Sequence, residues 1–370
     1  MKAIRILKLV AINVFTFLVL LAIVNWACGW YLKRSAKTKR EELPNYSNDF
    51  AHAKKVFHDY NSVQHQYEPF VGWKTLPYKG ETLLITGEGT RNVPVSQGAK
   101  EKSVHFFGGS TMWGEGSDDH HTIPALFAEK NKNFEIYNHG QLAYNSRQEL
   151  DALISLYATG VKPDIVVFYD GVNDAAFLCP KDIKKLPAHR LVPMYREKLY
   201  VGKSAFVKEI AGKIFIENIL SVIRRATYKP TPENTPYDCV SNPEKAEQIA
   251  EMMMKNWEMA NEIVTNRGGR FVAVLQPAAF IGKPKTDHLE LDEELGKNFQ
   301  VIYGLIKKKI AERNHSWIVD LSDRFDGEDY IYIDFCHVSP NGNAIIASEI
   351  SSVVGNVNKM SDVAFSSVYP

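Results

Sequence analysis

The alternation of apolar and polar positions divides this chain into stretches of distinct kinds. From Leu9 to Leu32 no residue is charged, and Val14 to Val24 is apolar apart from Thr16. As a helix this stretch spans about 36 Å, enough to cross a bilayer core of about 30 Å with some tilt. Trp26, Trp30 and Tyr31 at its far end form an interfacial aromatic belt. No A-x-A site follows, and Asn25-Trp26-Ala27-Cys28 lacks the leucine of a lipoprotein signal. An uncleaved membrane anchor is therefore expected over residues 1–32. Residues 33–64 are polar and charged with a helical tendency and read as a stalk. Residues 65–101 carry short apolar or alternating runs broken by glycine, such as Phe70-Val71-Gly72-Trp73, the pattern of an accessory β-hairpin region.

Beyond this point short apolar runs alternate with longer stretches of helical period. Strands are predicted at Ser103–Phe107, Phe134–Tyr137, Ile165–Tyr169, Arg270–Leu275 and Trp317–Leu321. Helices are predicted at Pro124–Lys130, Arg147–Tyr157, Pro243–Thr265, Leu289–Arg313 and Asn341–Val354. Strands alternating with helices predict a parallel sheet covered on both faces, with sites beyond the carboxyl ends of its strands. An insertion at about 175–242 interrupts the rhythm. Within it Ala205–Arg225 places Phe206, Ile210, Ile214, Ile216, Ile219, Leu220 and Ile223 at near-helical spacing, followed by Arg224-Arg225. Such a helix suits packing on the domain better than a lid or a lipid-facing surface.

Candidate chemistry falls at the predicted strand ends. Phe107-Gly108-Gly109-Ser110-Thr111 follows the first, Asn138-His139-Gly140 the second and Gly171-Val172-Asn173-Asp174 the third, while Asp334-Phe335-Cys336-His337 lies near the end of the chain. A serine hydroxyl needs a histidine to take its proton and a carboxylate to hold that histidine in the right tautomer. Asp334 and His337, three apart, satisfy the second requirement locally. An oxyanion needs donors already aimed at it. The backbone N–H groups of Ser110 and Gly140 and the Asn173 amide are the candidates.

These four blocks resemble the SGNH (GDSL-like) hydrolase family, whose namesake Ser, Gly, Asn and His map in chain order to Ser110, Gly140, Asn173 and His337, with Asp334 three residues before the histidine. The nucleophile block reads Gly-Gly-Ser-Thr where the family name has Gly-Asp-Ser-Leu, which leaves the serine untouched. The resemblance covers roughly Lys102 to Val354. It implies an α/β fold, a flavodoxin-like three-layer sandwich with a mainly parallel five-stranded sheet, within a hydrolase domain at 102–358 followed by a tail at 359–370. It further implies an ester hydrolase working through an acyl-enzyme, without cofactor or metal, and a bacterial membrane-anchored branch whose catalytic domain lies outside the cytoplasmic membrane. A small acyl group, acetyl foremost, on an envelope or exported carbohydrate is the substrate so implied. O-acyl transfer at the same site and a non-catalytic, membrane-tethered glycan-binding or assembly role are the alternatives.

Composition narrows the partners. With 44 basic against 43 acidic residues the chain has no electrostatic footprint for nucleic acid. Lysines and arginines flank the apolar stretch on both sides, so charge alone does not orient it. Of the four cysteines, Cys28 lies in the anchor and Cys336 inside the Asp-x-x-His block, where a buried thiol is a simpler reading than a metal ligand. Cys179 and Cys239 flank the insertion and are placed to close it with a disulfide in an oxidising compartment. His139, Gln276-Pro277 and Trp113 lie near strand ends as candidate pocket residues.

Overall fold

The computed structural model describes residues 2–34, 39–94, 100, 102–189, 191–193, 195, 210–227 and 236–366. The chain divides into two compact units, one of residues 1–39 with 196–235 and one of residues 40–195 with 236–370.

The second unit is built on a five-stranded parallel sheet. Two antiparallel pairs precede it, β1 (His65–Glu68) with β2 (Gly72–Thr75) and β3 (Tyr78–Lys79) with β4 (Leu84–Ile85). The sheet comprises β5 (Lys102–Gly108), β6 (Phe134–Asn138), β7 (Ile165–Asp170), β8 (Arg270–Leu275) and β9 (Ile318–Asp320), in the order β6-β5-β7-β8-β9. Numbered within the sheet this is 2-1-3-4-5, the flavodoxin-like order. The central β7 is buried along its whole length because both faces are covered. Side chains alternate between two cores as the pleat demands. Phe107, Val166, Phe168, Phe271 and Leu275 pack with the helices Ser146–Ala158, Pro243–Thr265 and Glu293–Arg313. Val104, Phe106, Val167, Val272 and Val274 pack with Ile123–Lys130 and the C-terminal helix.

All five predicted strands and all five helices are present, with differences at the ends that local chemistry explains. Helix Glu293–Arg313 starts four residues after Leu289 because Asp292 caps it, accepting from the Glu294 and Leu295 N–H groups. Asn145 forms a capping box with Gln148 at the start of Ser146–Ala158. The last helix runs from Pro340 to Ser366, through the expected boundary at 358.

The expected stalk at 33–64 is corrected from Arg40 onward, where the chain joins the second unit. Helix Phe50–Ser62 buries Ala53, Val56 and Phe57, and Leu43, Tyr46 and Phe57 cluster with Ile333. An i, i+3, i+4 apolar stripe inside a charge-rich stretch makes this a packed helix and not a spacer. The region 65–101 is likewise tied in: Gln141 Oε1 accepts from the Thr75 N–H, and Trp73 packs on Tyr144.

Within the insertion, Cys179 and Cys239 are joined by a disulfide. Part of the predicted helix Ala205–Arg225, residues 205–209, lies outside the described residues. Residues 210–215 are helical, Ile216 turns, and a helix follows over Glu217–Thr227.

In the first unit the helix Lys2–Arg34 contains the one stretch among the described residues long and apolar enough to cross a membrane, Ile4–Leu32.

Candidate active site

Strand β5 leads into Ser110, the candidate nucleophile. Gly109, in extended backbone, precedes a one-turn helix that begins at Ser110 and ends at Gly114, whose φ of 97° only glycine adopts freely. Gly109 permits the closest approach in the site: a Cβ there would lie 2.1 Å from Nδ2 of Asn173 and 3.2 Å from the Tyr144 carbonyl oxygen. The turn is clamped from below by Arg91, a fully buried guanidinium. It donates to the carbonyls of Trp113, Gly114 and Ser117 and to Asp119, and lies 4.4 Å over the Trp113 ring.

The loop after β9 brings in His337, the candidate base. Asp334 Oδ1 accepts from the Cys336 and His337 N–H groups at 2.9 and 2.8 Å, folding the block into a tight turn. Its Oδ2 lies 2.7 Å from His337 Nδ1, and His337 Nε2 lies 2.7 Å from Ser110 Oγ. Ser110, His337 and Asp334 thus meet in the arrangement of a nucleophile, base and orienting acid. Burial opposes ionisation of Asp334, but the His337 charge, Arg40 and the Cys336 N–H hold its carboxyl well below the usual range. Burial likewise opposes a charge on His337, yet Asp334, Cys336 and Glu115 raise its pKa.

Three further residues of the cluster come from places the sequence reading passed over. Glu115, buried just past the nucleophile turn, sets Oε2 3.0 Å from His337 Nε2. Arg40 donates to Glu115 at 2.6 Å and lies 3.0 Å from Asp334 Oδ2, an ion pair whose N–H is not aimed squarely enough to count as a hydrogen bond. The Tyr60 hydroxyl lies close enough to Glu115 for burial and that charge together to raise its pKa. Burial opposes ionisation of Glu115 too, but His337 and Arg40 outweigh it and lower its pKa. Two cationic and two anionic groups therefore interlock when the imidazole is protonated.

Of the expected oxyanion donors, Asn173 is in place after β7. Its amide donates one hydrogen to the Tyr144 carbonyl at 2.6 Å and keeps a second. Gly140 is corrected: its N–H donates to Asn138 Oδ1 at 2.9 Å, and a Cβ there would meet the Trp113 nitrogen at 2.5 Å. It is a packing glycine under the nucleophile turn. Ala143, three residues on, has a φ of 64°, a costly conformation for a residue with a Cβ, in the turn that approaches Gly109.

The candidate pocket residues separate. Gln276 Oε1 accepts from Thr111 Oγ1 at 3.1 Å, beside the nucleophile. Trp113 is wholly buried. His139 stacks between His105 and Phe107 and lines a cavity of about 560 Å³ together with Lys74, Gln141 and Tyr144. Asp334, Cys336 and His337 offer three ligand atoms within 4.8 Å of one another, but Asp334 and His337 use theirs on each other, and burial pushes the Cys336 thiol up to about 12.

No family model and no curated protein matches the chain. Among solved structures it is similar to LAE5, an alpha/beta hydrolase enzyme from the metagenome of Lake Arreo, at 14% identity over 70% of this chain and 96% of that one, with a TM-score of 0.37. It is similar to a member of the lipolytic protein G-D-S-L family from Veillonella parvula at 11% identity over 67% and 95%, TM-score 0.37. A third is Est24, a carbohydrate acetylesterase from Sinorhizobium meliloti, at 14% identity over 70% and 100%, TM-score 0.36. Likeness at this level leaves function to the chemistry of the site itself.

Proposed function

We propose that this chain is an SGNH-type serine esterase. The observation that carries the reading is the unbroken contact series Ser110 Oγ to His337 Nε2 and His337 Nδ1 to Asp334 Oδ2, each at 2.7 Å. His337 takes the Ser110 proton as the oxygen attacks an ester carbonyl, and Asp334 stabilises the imidazolium. The alcohol leaves with that proton, and water, activated by His337, releases the acid. The Ser110 N–H and the second Asn173 amide hydrogen are the oxyanion donors, with the Ala143 N–H as third in place of Gly140.

The substrate we propose is a small acyl ester, acetyl foremost, on a carbohydrate at the outer face of the cytoplasmic membrane. The disulfide Cys179–Cys239 supports an oxidising compartment for the catalytic unit, and the apolar N-terminal helix supports a single-pass anchor. Acyl transfer to a sugar hydroxyl uses the same acyl-enzyme. The low exposure of Ser110 (8%) and His337 (9%), which limits water at the acyl carbon, is the observation that favours it.

The test is hydrolysis of p-nitrophenyl acetate and longer esters by the full chain in detergent, beside Ser110→Ala and His337→Ala. Turnover lost in both variants and falling with acyl length supports the esterase. Fluorophosphonate labelling of Ser110 without net hydrolysis points to transfer. Absence of both turnover and labelling overturns the reading.

A further inference from the structure

Asn25 is an anomaly in the apolar helix, because a polar side chain at membrane depth is costly unless it is paired. It is only 2% exposed, while its neighbours Val24 and Trp26 are open. Its amide is fully engaged with the insertion. Nδ2 donates to the carbonyls of Lys213 and Ile214 at 2.8 and 3.0 Å, and Oδ1 accepts from the N–H groups of Asn218 and Ile219 at 2.9 and 3.3 Å. These four backbone groups flank the turn at Ile216, where one helical segment ends and the next begins. They are the groups a helix break leaves without partners.

The surrounding seam has the character of helix packing in lipid. On the N-terminal helix Leu21, Ala22, Cys28, Gly29 and Leu32 share Asn25's face and are partly covered, and a Cβ on Gly29 would come within 2.8 Å of Asn218 Nδ2. Asn25 lies seven positions inside Leu32, about 10 Å along the helix from the end of the apolar span. The insertion meets the helix at that depth, and its Ile214, Leu220 and Ile223 side chains are 47%, 42% and 50% exposed. Arg224 and Arg225 sit in the last turn of the Glu217–Thr227 helix.

We propose that residues 210–227 form an interfacial membrane element, a broken helix locked to the membrane helix through Asn25, with Ile214, Leu220 and Ile223 entering the acyl chains of the bilayer. Apolar side chains reach the acyl boundary and the paired arginines lie at the headgroup level, the geometry of a helix that lies in a membrane surface. Asn25 satisfies the break, which hydrocarbon would otherwise leave unpaired.

The experiment uses the full chain with Cys28→Ser, reconstituted in phosphatidylcholine–phosphatidylglycerol liposomes, with a nitroxide placed at Leu220→Cys. Collision with oxygen and with a water-soluble nickel chelate is read by power saturation. Controls are labels at Phe17→Cys, exposed in the apolar span, and Lys132→Cys, exposed on the catalytic unit. The expected result is oxygen access and nickel protection at 220, as at 17. Adding Asn25→Leu is expected to move the 220 label toward the pattern at 132. Nickel access at 220 equal to that at 132 overturns the proposal, and an unchanged 220 label in the Asn25→Leu chain overturns the role of Asn25.

Discussion

Glu115 Oε2 lies 3.0 Å from His337 Nε2, on the nitrogen that Ser110 Oγ also reaches, at 2.7 Å. An ionised carboxylate only accepts hydrogen bonds, so Glu115 favours a proton on Nε2 while Asp334 holds the one on Nδ1. Together the two carboxylates favour the imidazolium over the neutral ring, and the ring acts as a base once the Nε2 proton has left. The groups facing it are Asp334, Cys336, Glu115, Arg40, Tyr46 and Tyr60. Glu115→Gln removes a group that raises the His337 pKa. The acidic limb of kcat/KM against pH is expected to move down by about 1–3 pH units. Arg40→Gln removes a cation and is expected to move it up. Shifts in opposite directions identify an electrostatic role, since loss of packing alone would not reverse sign.

Gly109→Ala is expected to abolish turnover while leaving the fold intact. Its Cβ would displace the Asn173 amide, which it would approach at 2.1 Å. Asn173→Ala should cost about 3 kcal/mol of transition-state stabilisation, roughly a hundredfold or more in kcat. Burst kinetics with a chromogenic ester, beside circular dichroism of each variant, check both.

Arg91→Met should destabilise the chain by about 3–5 kcal/mol, because it leaves Asp119 buried without its partner and frees three carbonyls of the nucleophile turn. The double variant Arg91→Met, Asp119→Asn is expected to recover part of that loss. Urea unfolding of the three proteins gives the coupling directly.

A second carboxylate cluster governs stability. Glu149, Asp170 and Asp174 are wholly buried together. Asp170 accepts from Trp257 Nε1 and Asp174 from the Ser146 hydroxyl, while neither Glu149 oxygen has a well-formed hydrogen bond although Asp170 lies close enough to couple to it. Burial, and for Glu149 and Asp174 the neighbouring Asp170 charge, raises all three pKa values, that of Asp174 to about 7. With folded values above the unfolded ones, the folded state binds more protons. Its stabilisation is complete below pH about 4 and is lost as pH rises through about 7. Glu149→Gln supplies an N–H for Asp170 and is expected to flatten that decline, raising the thermal midpoint at pH 8. Calorimetry from pH 5 to 8 reads it.

The parts legible in the sequence were those whose causes are local. A buried parallel strand reads as an apolar run, and a residue after such a run sits at a sheet edge, so Ser110 and Asn173 could be placed from their flanks. Asp334 and His337 are three apart and fold as one turn. Arg40 was hidden because a cation among Lys33, Arg34, Lys37 and Lys39 looks like any solvated charge; only the packing of Leu43, Tyr46 and Phe57 on Ile333 shows where it goes. Glu115 lies between two glycines with nothing local to show that it is buried. Gly140 drew attention as a glycine, whereas the left-handed residue of that loop is Ala143, which composition does not flag.

Arg40 is the first residue of the second unit after the segment that leads from the apolar N-terminal helix, and it holds both Glu115 and Asp334. The polypeptide that follows the N-terminal helix thus enters the second unit at a residue of the charge cluster itself. A cut before Arg40 would leave that charge cluster complete, whereas one a few peptide bonds later would take the guanidinium away from two carboxylates. The position of such a cut would decide whether the cluster around His337 keeps its second cation.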